Sequence, residues 1–330
     1  MTDSSKIILD VDTGTDDAMA IIIAMRAMKE RLLGITVTHG NQPLPNTLEN
    51  TLRVVEFMGG GVPVYAGCAE PMVQNLMPGR KGNQRHQGYR QVIDGQTVCV
   101  HDEYLDLPPA TIKPEKQHAV SFLVDTLRDA AEPVTVVAVG PATNIAMALR
   151  MDASIAKNIR QLIVMGGGMK DVNITSAAEF NFFHDPEAAQ IMLKAACPIV
   201  IFPLDATTSV MFTEKEAAQI AALDNPWSRF YADLMTHFLG RLKLLNIALT
   251  DDPDFFGITM HDAFCILYLL DPSFVKVMKK RNVDVDYGGS FCDGRLVVDN
   301  RIYEPLVGDV AVVYELDKGR IMEQLLALLR

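Results

Sequence analysis

Five stretches of the chain are almost continuously apolar, rich in β-branched residues and only five to seven residues long. Strands that are buried on both faces have this composition, whereas strands with one solvated face alternate between apolar and polar residues. Helical stretches separate the five runs. This alternation predicts an α/β fold, with a doubly wound, mostly parallel central sheet and helices on both faces. The predicted strands are Lys6–Val11, Leu32–Thr38, Val134–Val139, Gln161–Met165 and Pro198–Leu204.

Two further regions have a distinct pattern. The stretch from about residue 71 to 114 is rich in glycine, proline, glutamine and arginine, which predicts a flexible flap. After Asn282, G-G and D-G turns between alternating runs predict one or two hairpins on the sheet edge. No repeat or linker divides the chain, so residues 1–330 are predicted to form a single domain. Cap residues predict three helix starts: Asn46 for a helix to Met58, Asp185 for a helix to Ala196, and Thr213 with Glu216 as a capping box.

The composition disfavours several classes of protein. Thirty basic residues against 41 acidic ones give a net charge of −11, which disfavours binding to nucleic acid or to an anionic membrane. The polar N-terminus lacks the apolar core of a signal peptide, and the longest apolar run, Ala18–Met25, is too short to cross a bilayer. Five scattered cysteines without a C-x-x-C pair suit a reducing compartment. We therefore predict a cytoplasmic protein without nucleic-acid or membrane partners.

An unusually acidic turn follows the first predicted strand. Asp10, Asp12, Asp16 and Asp17 fall within eight residues, where the strand gives way to a helix. Carboxylates gathered at the end of a buried strand repel one another unless a cation lies among them, and oxygen ligands suit a hard metal. A favourable charge at a helix N-terminus would account for Asp16 and Asp17 alone. The turn therefore predicts a metal site.

Two known acidic motifs can be compared with this turn. An EF-hand loop beginning at Asp10 would need a carboxylate where Gly14 stands and a glutamate where Ile21 stands, so that motif is excluded. Phosphatases with an aspartyl nucleophile have Asp-x-Asp-x-Thr or Val after their first strand. Here the fifth residue is Gly14, which weakens this interpretation and leaves it open.

The turns after the first four predicted strands carry polar residues and glycine. They contain, in order, the aspartates, His39-Gly40-Asn41, Gly140-Pro141-Ala142-Thr143-Asn144 and Met165-Gly166-Gly167-Gly168. In an open parallel sheet ligands bind outside the carboxyl ends of the strands. These turns therefore predict one polar cleft centred on a metal.

Motifs along nearly the whole chain resemble those of the nucleoside hydrolases, the inosine–uridine-type N-ribohydrolases. The family pattern D-x-D-x-G-x-D-D-A is found at Asp10–Ala18, and further motifs follow in the same order. They are Gly40-Asn41, G-P-x-T-N-I-A at 140–146, M-G-G-G at 165–168, A-E-F-N at 178–181, D-P-E-A-A at 185–189 and M-H-D-A at 260–263. The resemblance implies the nucleoside hydrolase fold and a Ca²⁺-dependent enzyme that hydrolyses the N-glycosidic bond of ribonucleosides to ribose and a free base.

By motif position, the resemblance also implies roles for individual residues. Asp12, Asp17, Asp262 and the backbone carbonyl of Val139 match metal ligands, and Asp12 matches the general base for the metal-bound water. Asp10 matches a position behind these ligands. The residues that match the ribose-binding groups and their apolar neighbours are Asp16, Asn41, Met165, Asn173, Glu179, Phe180 and Asn181. Calcium suits this chemistry because it accepts six to eight oxygen ligands in irregular geometry.

Protonation of the leaving base needs a further group. His261 matches the family position that protonates a purine, although a packed histidine at a helix start is the alternative. The flap of many relatives has H-G-x-x-G, and His86-Gln87-Gly88 is the nearest match here, so His86 is a candidate substrate contact. The flap is also basic, which raises the hypothesis that its arginines admit an anionic substrate group. The preference for purine or pyrimidine stays open.

Two rival functions are carried forward. One is a Mg²⁺-dependent phosphatase with Asp10 as the nucleophile, and the other is a ribose- or nucleoside-binding protein without turnover. The resemblance further implies a homodimer or homotetramer with a small-molecule nucleoside as substrate.

Overall fold

The computed structural model describes residues 5–73, 76–77, 80, 90–247, 255–301 and 308–330. In this part of the chain the strands are β1 (Ile7–Val11), β2 (Leu32–Val37), β3 (Val64–Ala66), β4 (Arg90–Ile93), β5 (Gln96–Cys99), β6 (Val134–Ala138), β7 (Ile159–Met165), β8 (Ile199–Phe202), β9 (Val275–Arg281), β10 (Val283–Val285), β11 (Leu296–Val298) and β12 (Val310–Leu316). Eight of them form one sheet in the order β3-β2-β1-β6-β7-β8-β12-β9. All neighbours run parallel except β12 and β9.

Helices cover both faces of this sheet. They are α1 (Thr15–Met28), α2 (Leu44–Phe57), α3 (Ala119–Arg128), α4 (Thr143–Met151), α5 (Phe180–His184), α6 (Pro186–Leu193), α7 (Leu204–Thr207), α8 (Glu214–Ala221), α9 (Pro226–Leu244), α10 (His261–Leu270) and α11 (Lys318–Leu328). Alternate residues of β1 belong to different cores. Ile7, Leu9 and Val11 pack with α1, α9 and α10, whereas Ile8 packs with α3, α4 and α6. This two-sided burial explains the continuous apolar run in the sequence.

The predicted fold class is confirmed, and each of the five predicted strands is present within two residues at either end. Asp185 caps α6, and Thr213 forms a capping box with Glu216 at α8, as predicted. Two helix predictions were wrong in detail. Helix α2 begins at Leu44 with Pro43 as its N-cap and Pro45 in its first turn, so Asn46 lies inside the helix and is not its cap. Helix α6 ends at Leu193 instead of Ala196.

The region after Asn282 differs from the prediction of hairpins on the sheet edge. Strands β10 and β11 pair antiparallel but form a separate two-stranded sheet. Of the strands after Asn282, the main sheet gains β12, which lies in its interior next to β9, the edge strand that precedes Asn282. The last three residues of strand β9 are all basic, and lysine-rich edges resist pairing with other chains. The predicted flap contains a hairpin, β4–β5, within its described residues.

Among the described residues, no helix combines the length and the apolar character that a membrane span needs. The assignment of residues 1–330 to a single domain stays a prediction.

Candidate functional site

A cavity opens at the carboxyl edge of the sheet, where the turns after β1, β2, β6 and β7 meet. Its volume is about 290 Å³, near the lower end of the ~300–1,000 Å³ typical of small-molecule sites. Most of the predicted site residues line it. These are Asp12, Asp16, Asn41, Val139, Met165, Asn173, Glu179, Phe180, Asn181, His261 and Asp262. Residues far apart in sequence thus converge as the parallel topology requires.

Asp17 is not among the residues that line the cavity, but its carboxylate stabilises the acidic turn through hydrogen bonds. Its Oδ1 accepts a hydrogen bond from the Asp12 backbone N–H at 3.0 Å, and its Oδ2 accepts one from Gly14 N–H at 3.0 Å. The Asn41 side-chain amide donates to the same Oδ2 at 3.1 Å. Asp17 is the third residue of α1, so these bonds also satisfy backbone donors at the start of that helix.

Three aspartates from two helix starts converge. One carboxylate oxygen from each of Asp16, Asp17 and Asp262 lies within 4.8 Å of the others, and all three residues are buried. Asp16 and Asp17 belong to the first turn of α1, and Asp262 belongs to the first turn of α10. This donor set consists only of carboxylate oxygens, which suits a hard divalent cation.

Asp12 lies beside this cluster and is 1 % exposed. Its Oδ2 accepts a hydrogen bond from Asn41 N–H at 2.7 Å. The carboxylate also packs directly on the backbone of the turn after β6, since a Cβ on Gly140 would lie 2.6 Å from Asp12 Oδ1. A glycine is therefore needed at position 140, and the close contact fixes the Asp12 carboxylate toward the cavity.

Burial sets the electrostatics of these carboxyl groups. It raises the pKa of Asp12 and Asp262 well above the usual aspartate range, and neighbouring carboxylates raise both further. Burial likewise raises the pKa of Asp16 and of Asp17 to about 6. Several like charges in a poorly solvated site disfavour ionisation. A cation among these groups would restore their ionised forms.

Asp10 lies outside the lining of the cavity that the described residues form. It is completely buried, and one of its oxygens accepts hydrogen bonds from Thr36 and from Asn144. Burial raises the pKa of Asp10 to about 7. A carboxylate enclosed in this way cannot reach a substrate in the cavity, so the geometry opposes the phosphatase interpretation with Asp10 as nucleophile.

A network of hydrogen bonds around Glu179 forms a further part of the cavity lining. Glu179 caps α5 and accepts hydrogen bonds from the backbone N–H groups of Gly167, Asn181 and Phe182 at 2.7, 2.8 and 3.1 Å. Burial raises its pKa to about 7 despite these bonds. The Asn181 amide donates to the Val139 carbonyl at 2.7 Å. The Val139 oxygen proposed as a metal ligand is therefore hydrogen-bonded to a second residue of the site.

His261 is the first residue of α10 and lines the cavity. Its Nδ1 lies 2.7 Å from the Thr207 hydroxyl. Burial lowers the pKa of His261 to about 3, so the ring is neutral near pH 7. Asn173, on the rim, accepts a hydrogen bond from Phe180 N–H at 2.9 Å.

His101 is a cavity residue that the sequence analysis missed. The predicted flap contact, His86, lies outside the described residues. His101 lies in the same flap and stacks on Phe238 of α9, with ring centroids 5.3 Å apart. An H-G-x-x-G pattern does not surround it, since Asp102 and Glu103 follow, and so the motif comparison gave no signal. Apolar residues complete this side of the cavity: Val100, Ile174, Phe238, Leu242 and Ile247.

Arg80 does not support the hypothesis of an anion-binding flap. Its side chain is 1 % exposed and is bonded to Glu187 at 2.7 Å and to Asp293 at 2.7 Å. An arginine engaged by two carboxylates is not available to a substrate anion. The other basic flap side chains of the hypothesis, Lys81, Arg85 and Arg90, lie outside the described side chains.

The chain is similar to several known proteins over most of its length. A family model described as inosine-uridine preferring nucleoside hydrolase matches residues 7–323. The pyrimidine-specific ribonucleoside hydrolase RihB of Escherichia coli (strain SE11) is 37% identical over 297 residues, covering 89% of this chain and 87% of that protein. A purine-preferring ribonucleoside hydrolase from Gardnerella vaginalis has a TM-score of 0.81 at 27% identity over 98% of both chains. The plant nucleoside hydrolase PpNRh1 has a TM-score of 0.80 at 25% identity over 99% of both chains.

The fold and these matches define a hydrolase that acts on N-glycosyl compounds. More specifically, the chain belongs to the inosine-uridine preferring nucleoside hydrolase family, and its activity is hydrolysis of ribonucleosides.

Proposed function

We propose that this enzyme uses a bound Ca²⁺ ion and Asp12 as general base to release ribose and a free nucleobase from ribonucleosides. The observation that carries the proposal is the convergence of the buried carboxylates of Asp16, Asp17 and Asp262 beside Asp12, three of which line one cavity. The amide side chains of Asn41, Asn173 and Asn181 line the same cavity, which supports their assignment as contacts to the sugar hydroxyls.

Charge balance supports a resident cation. The described residues that line the cavity include no lysine or arginine. Its two histidines stay neutral, since burial lowers the pKa of His101 to about 4 and that of His261 to about 3. Protein groups therefore do not offset the buried carboxylates near neutral pH, and a divalent cation would.

Asp12, Asp17, Asp262 and the Val139 carbonyl are the proposed metal ligands. A bound Ca²⁺ would hold two vicinal ribose hydroxyls and the attacking water together and would lower the pKa of that water. Asp12 is then the proton acceptor. With the cation bound the carboxylate of Asp12 would be ionised, as a general base must be to accept the proton. Asn41 N–H and Gly140 hold its carboxylate in place, which limits the reorganisation that proton transfer requires.

The ribose would lie beside the acidic turn and the hydrogen-bond network around Glu179. Asp16, Asn41, Asn173, Glu179 and Asn181 are the proposed hydroxyl contacts, with Met165 and Phe180 as apolar neighbours. Cleavage of a glycosidic bond develops positive charge on the sugar ring. Carboxylate and amide oxygens held rigidly around the ring stabilise that charge more than they stabilise the ground state.

The base would lie against His101, Phe238 and Leu242, with His261 at the leaving nitrogen. When the Thr207 hydroxyl donates to His261 Nδ1, the remaining proton of the neutral ring is on Nε2. That N–H can then donate a hydrogen bond to the leaving base and stabilise the negative charge that develops there as the bond breaks, and solvent then supplies the proton. We keep the base type open, and uridine, cytidine, inosine and adenosine form the first substrate panel.

Asp12→Asn tests the general base. The amide keeps the size of the side chain but cannot accept the proton, so kcat should fall by about 10²–10⁴-fold. Release of free base is measured by chromatography and release of ribose by a reducing-sugar assay. Asp129→Asn, on the exposed end of α3, is the matched control and should retain wild-type turnover. An Asp12→Asn enzyme with near-normal kcat and a normal Tm would exclude Asp12 as the base.

The same assay tests the alternative that the protein binds nucleosides without hydrolysing them. A wild-type protein that binds nucleosides but releases no base from any member of the panel would identify such a protein. We also propose a homodimer or homotetramer, on family resemblance, and light scattering of the purified protein tests this.

A further inference from the structure

The segment that carries His101 is tied to α2 and its preceding turn on one side. The Gln42 side chain donates to the His101 carbonyl at 3.0 Å, and the Asn46 side chain donates to Glu103 Oε1 at 3.3 Å. Asn50 accepts a hydrogen bond from Leu105 N–H at 3.0 Å. These contacts fix the path of the backbone, and none of the three involves a residue of α9.

On its other side the segment contacts α9 through two adjacent residues. The His101 ring stacks on Phe238 at an interplanar angle of 22°. The Asp102 carboxylate accepts hydrogen bonds from both His237 and Arg241, which lie one helical turn apart on α9. Phe238 and Leu242, the next residue after each of these partners, line the cavity. One stretch of α9 therefore holds Asp102 and also forms the cavity wall.

The His101 ring has a defined orientation. Its Nδ1 accepts a hydrogen bond from Thr15 N–H at 3.3 Å, at the start of α1. This approach requires Gly14, since a Cβ there would lie 2.7 Å from Nδ1. Because Nδ1 accepts and the ring is neutral, the proton is on Nε2. His101 thus offers a single N–H donor, and its direction depends on where the segment is held.

The Asp102 contacts with α9 are charged and only partly exposed. The side chains of Asp102 and Arg241 are 29 % and 24 % exposed, whereas His237 is 54 % exposed. Burial alone would raise the pKa of Asp102, but the hydrogen bond and charge of His237 and the charge of Arg241 outweigh it and lower the pKa. Asp102 is therefore ionised at neutral pH, and the ion pair with Arg241 persists whatever the state of His237.

We propose that Asp102 is a positioning residue for nucleoside binding: by joining His237 and Arg241 it fixes the flap segment to α9 and sets the His101 N–H donor beside the base. The inference rests on the proposed function insofar as the base occupies the side of the cavity that His101 and Phe238 form. Asp102 thereby has a positioning role that is separate from the roles of the metal ligands and of the ribose contacts.

The test compares ligands with and without a base, in the full-length protein with Ca²⁺ present. A C-nucleoside, whose glycosidic carbon–carbon bond resists this hydrolysis, reports base binding by calorimetry, and free ribose reports the sugar half alone. Asp102→Asn should weaken C-nucleoside binding about tenfold, whereas the Kd of ribose should change less than about twofold. Glu103→Gln, on the same segment but bonded to Asn46, is the matched control and should leave both affinities unchanged.

A double-mutant cycle with His101→Ala shows whether Asp102 acts through His101. In the His101→Ala background, Asp102→Asn should change C-nucleoside binding less than about twofold. Equal losses in both backgrounds, parallel losses for ribose, or no loss in Asp102→Asn would each overturn the proposal. Failure of the proposed function can be distinguished from failure of the positioning role, because the binding assay does not depend on turnover. Near-normal turnover in Asp12→Asn together with this binding pattern would refute the proposed general base and retain the positioning role.

Discussion

At the residue scale, burial sets the protonation of the site more than any single neighbour does. It raises the pKa of the aspartates and lowers that of His101 and His261, so the isolated protein favours neutral forms of both residue types. A neutral histidine does not bring a positive charge close to the developing cation on ribose. His261 can therefore assist departure of the base without opposing charge development on the sugar.

His261→Ala should lower kcat for nucleosides by about 10²–10³-fold, because the leaving base loses the hydrogen-bond donor that stabilises its developing negative charge. A riboside whose leaving group departs as a stable anion, such as 4-nitrophenolate, should lose less than about tenfold, since it needs no such donor. His118→Asn, which keeps a capping acceptor at the start of α3, is the control. Equal losses on both substrates would show that His261 does not assist departure of the base.

At the scale of elements, the start of α8 combines a cap with a tertiary ion pair. Glu216 Oε2 accepts hydrogen bonds from Thr213 N–H and from its hydroxyl at 2.8 and 2.7 Å. Glu216 Oε1 lies 2.7 Å from Lys318 Nζ of α11. Burial alone would raise the pKa of Glu216, but the bonds from Lys318 and Thr213 outweigh it and lower the pKa from 4.5 to about 2.

Glu216→Gln should lower the free energy of unfolding at pH 7 by about 0.5–1 kcal/mol, because glutamine keeps the cap acceptor but loses the ion pair. A carboxyl group with a lowered pKa stabilises the fold fully above its unfolded value of 4.5 and loses this contribution as pH falls toward 2. The difference between wild type and variant in urea denaturation should therefore shrink between pH 4.5 and pH 3. Glu132→Gln, at an exposed position, serves as the control. A difference that stays constant over this range would contradict the assignment.

At the scale of the whole molecule, the acidic cluster joins distant parts of the chain. Asp16 and Asp17 begin α1, whereas Asp262 begins α10, and these two helices pack against each other on one face of the sheet. A cation held by both helix starts would bind the native state and not the unfolded chain. Ligand binding should therefore stabilise the fold as well as activate it.

Calcium should raise Tm by several degrees, since a free concentration of about 100 times Kd adds about 2.7 kcal/mol to the stability of the folded state. Magnesium should give a smaller shift, because it tolerates irregular, oxygen-rich geometry poorly. Asp262→Asn should remove most of the calcium response, and Glu132→Gln should retain it. Scanning calorimetry after chelation and re-addition measures this effect, and a calcium-independent Tm in the wild type would refute the metal assignment.

The sequence determined the α/β class, the strands and the acidic turn. Strands buried on both faces must be continuously apolar, and the carboxyl ends of parallel strands must share an edge. Both features can therefore be recognised from the local sequence pattern alone. The sequence alone could therefore predict that Asp12, Asn41 and Asn181 share one cleft, because each follows a predicted strand or lies within a family motif.

Only the tertiary structure decided which flap residues reach the cleft and what they contact. His101 enters the cavity through stacking on Phe238, and Arg80 is buried against Glu187 and Asp293. Each partner is more than 100 residues away in the chain. The path of an irregular segment depends on such distant contacts and not on a residue period, so local patterns carry no information about it. The periodic elements were therefore readable from the sequence, whereas the flap contacts were not.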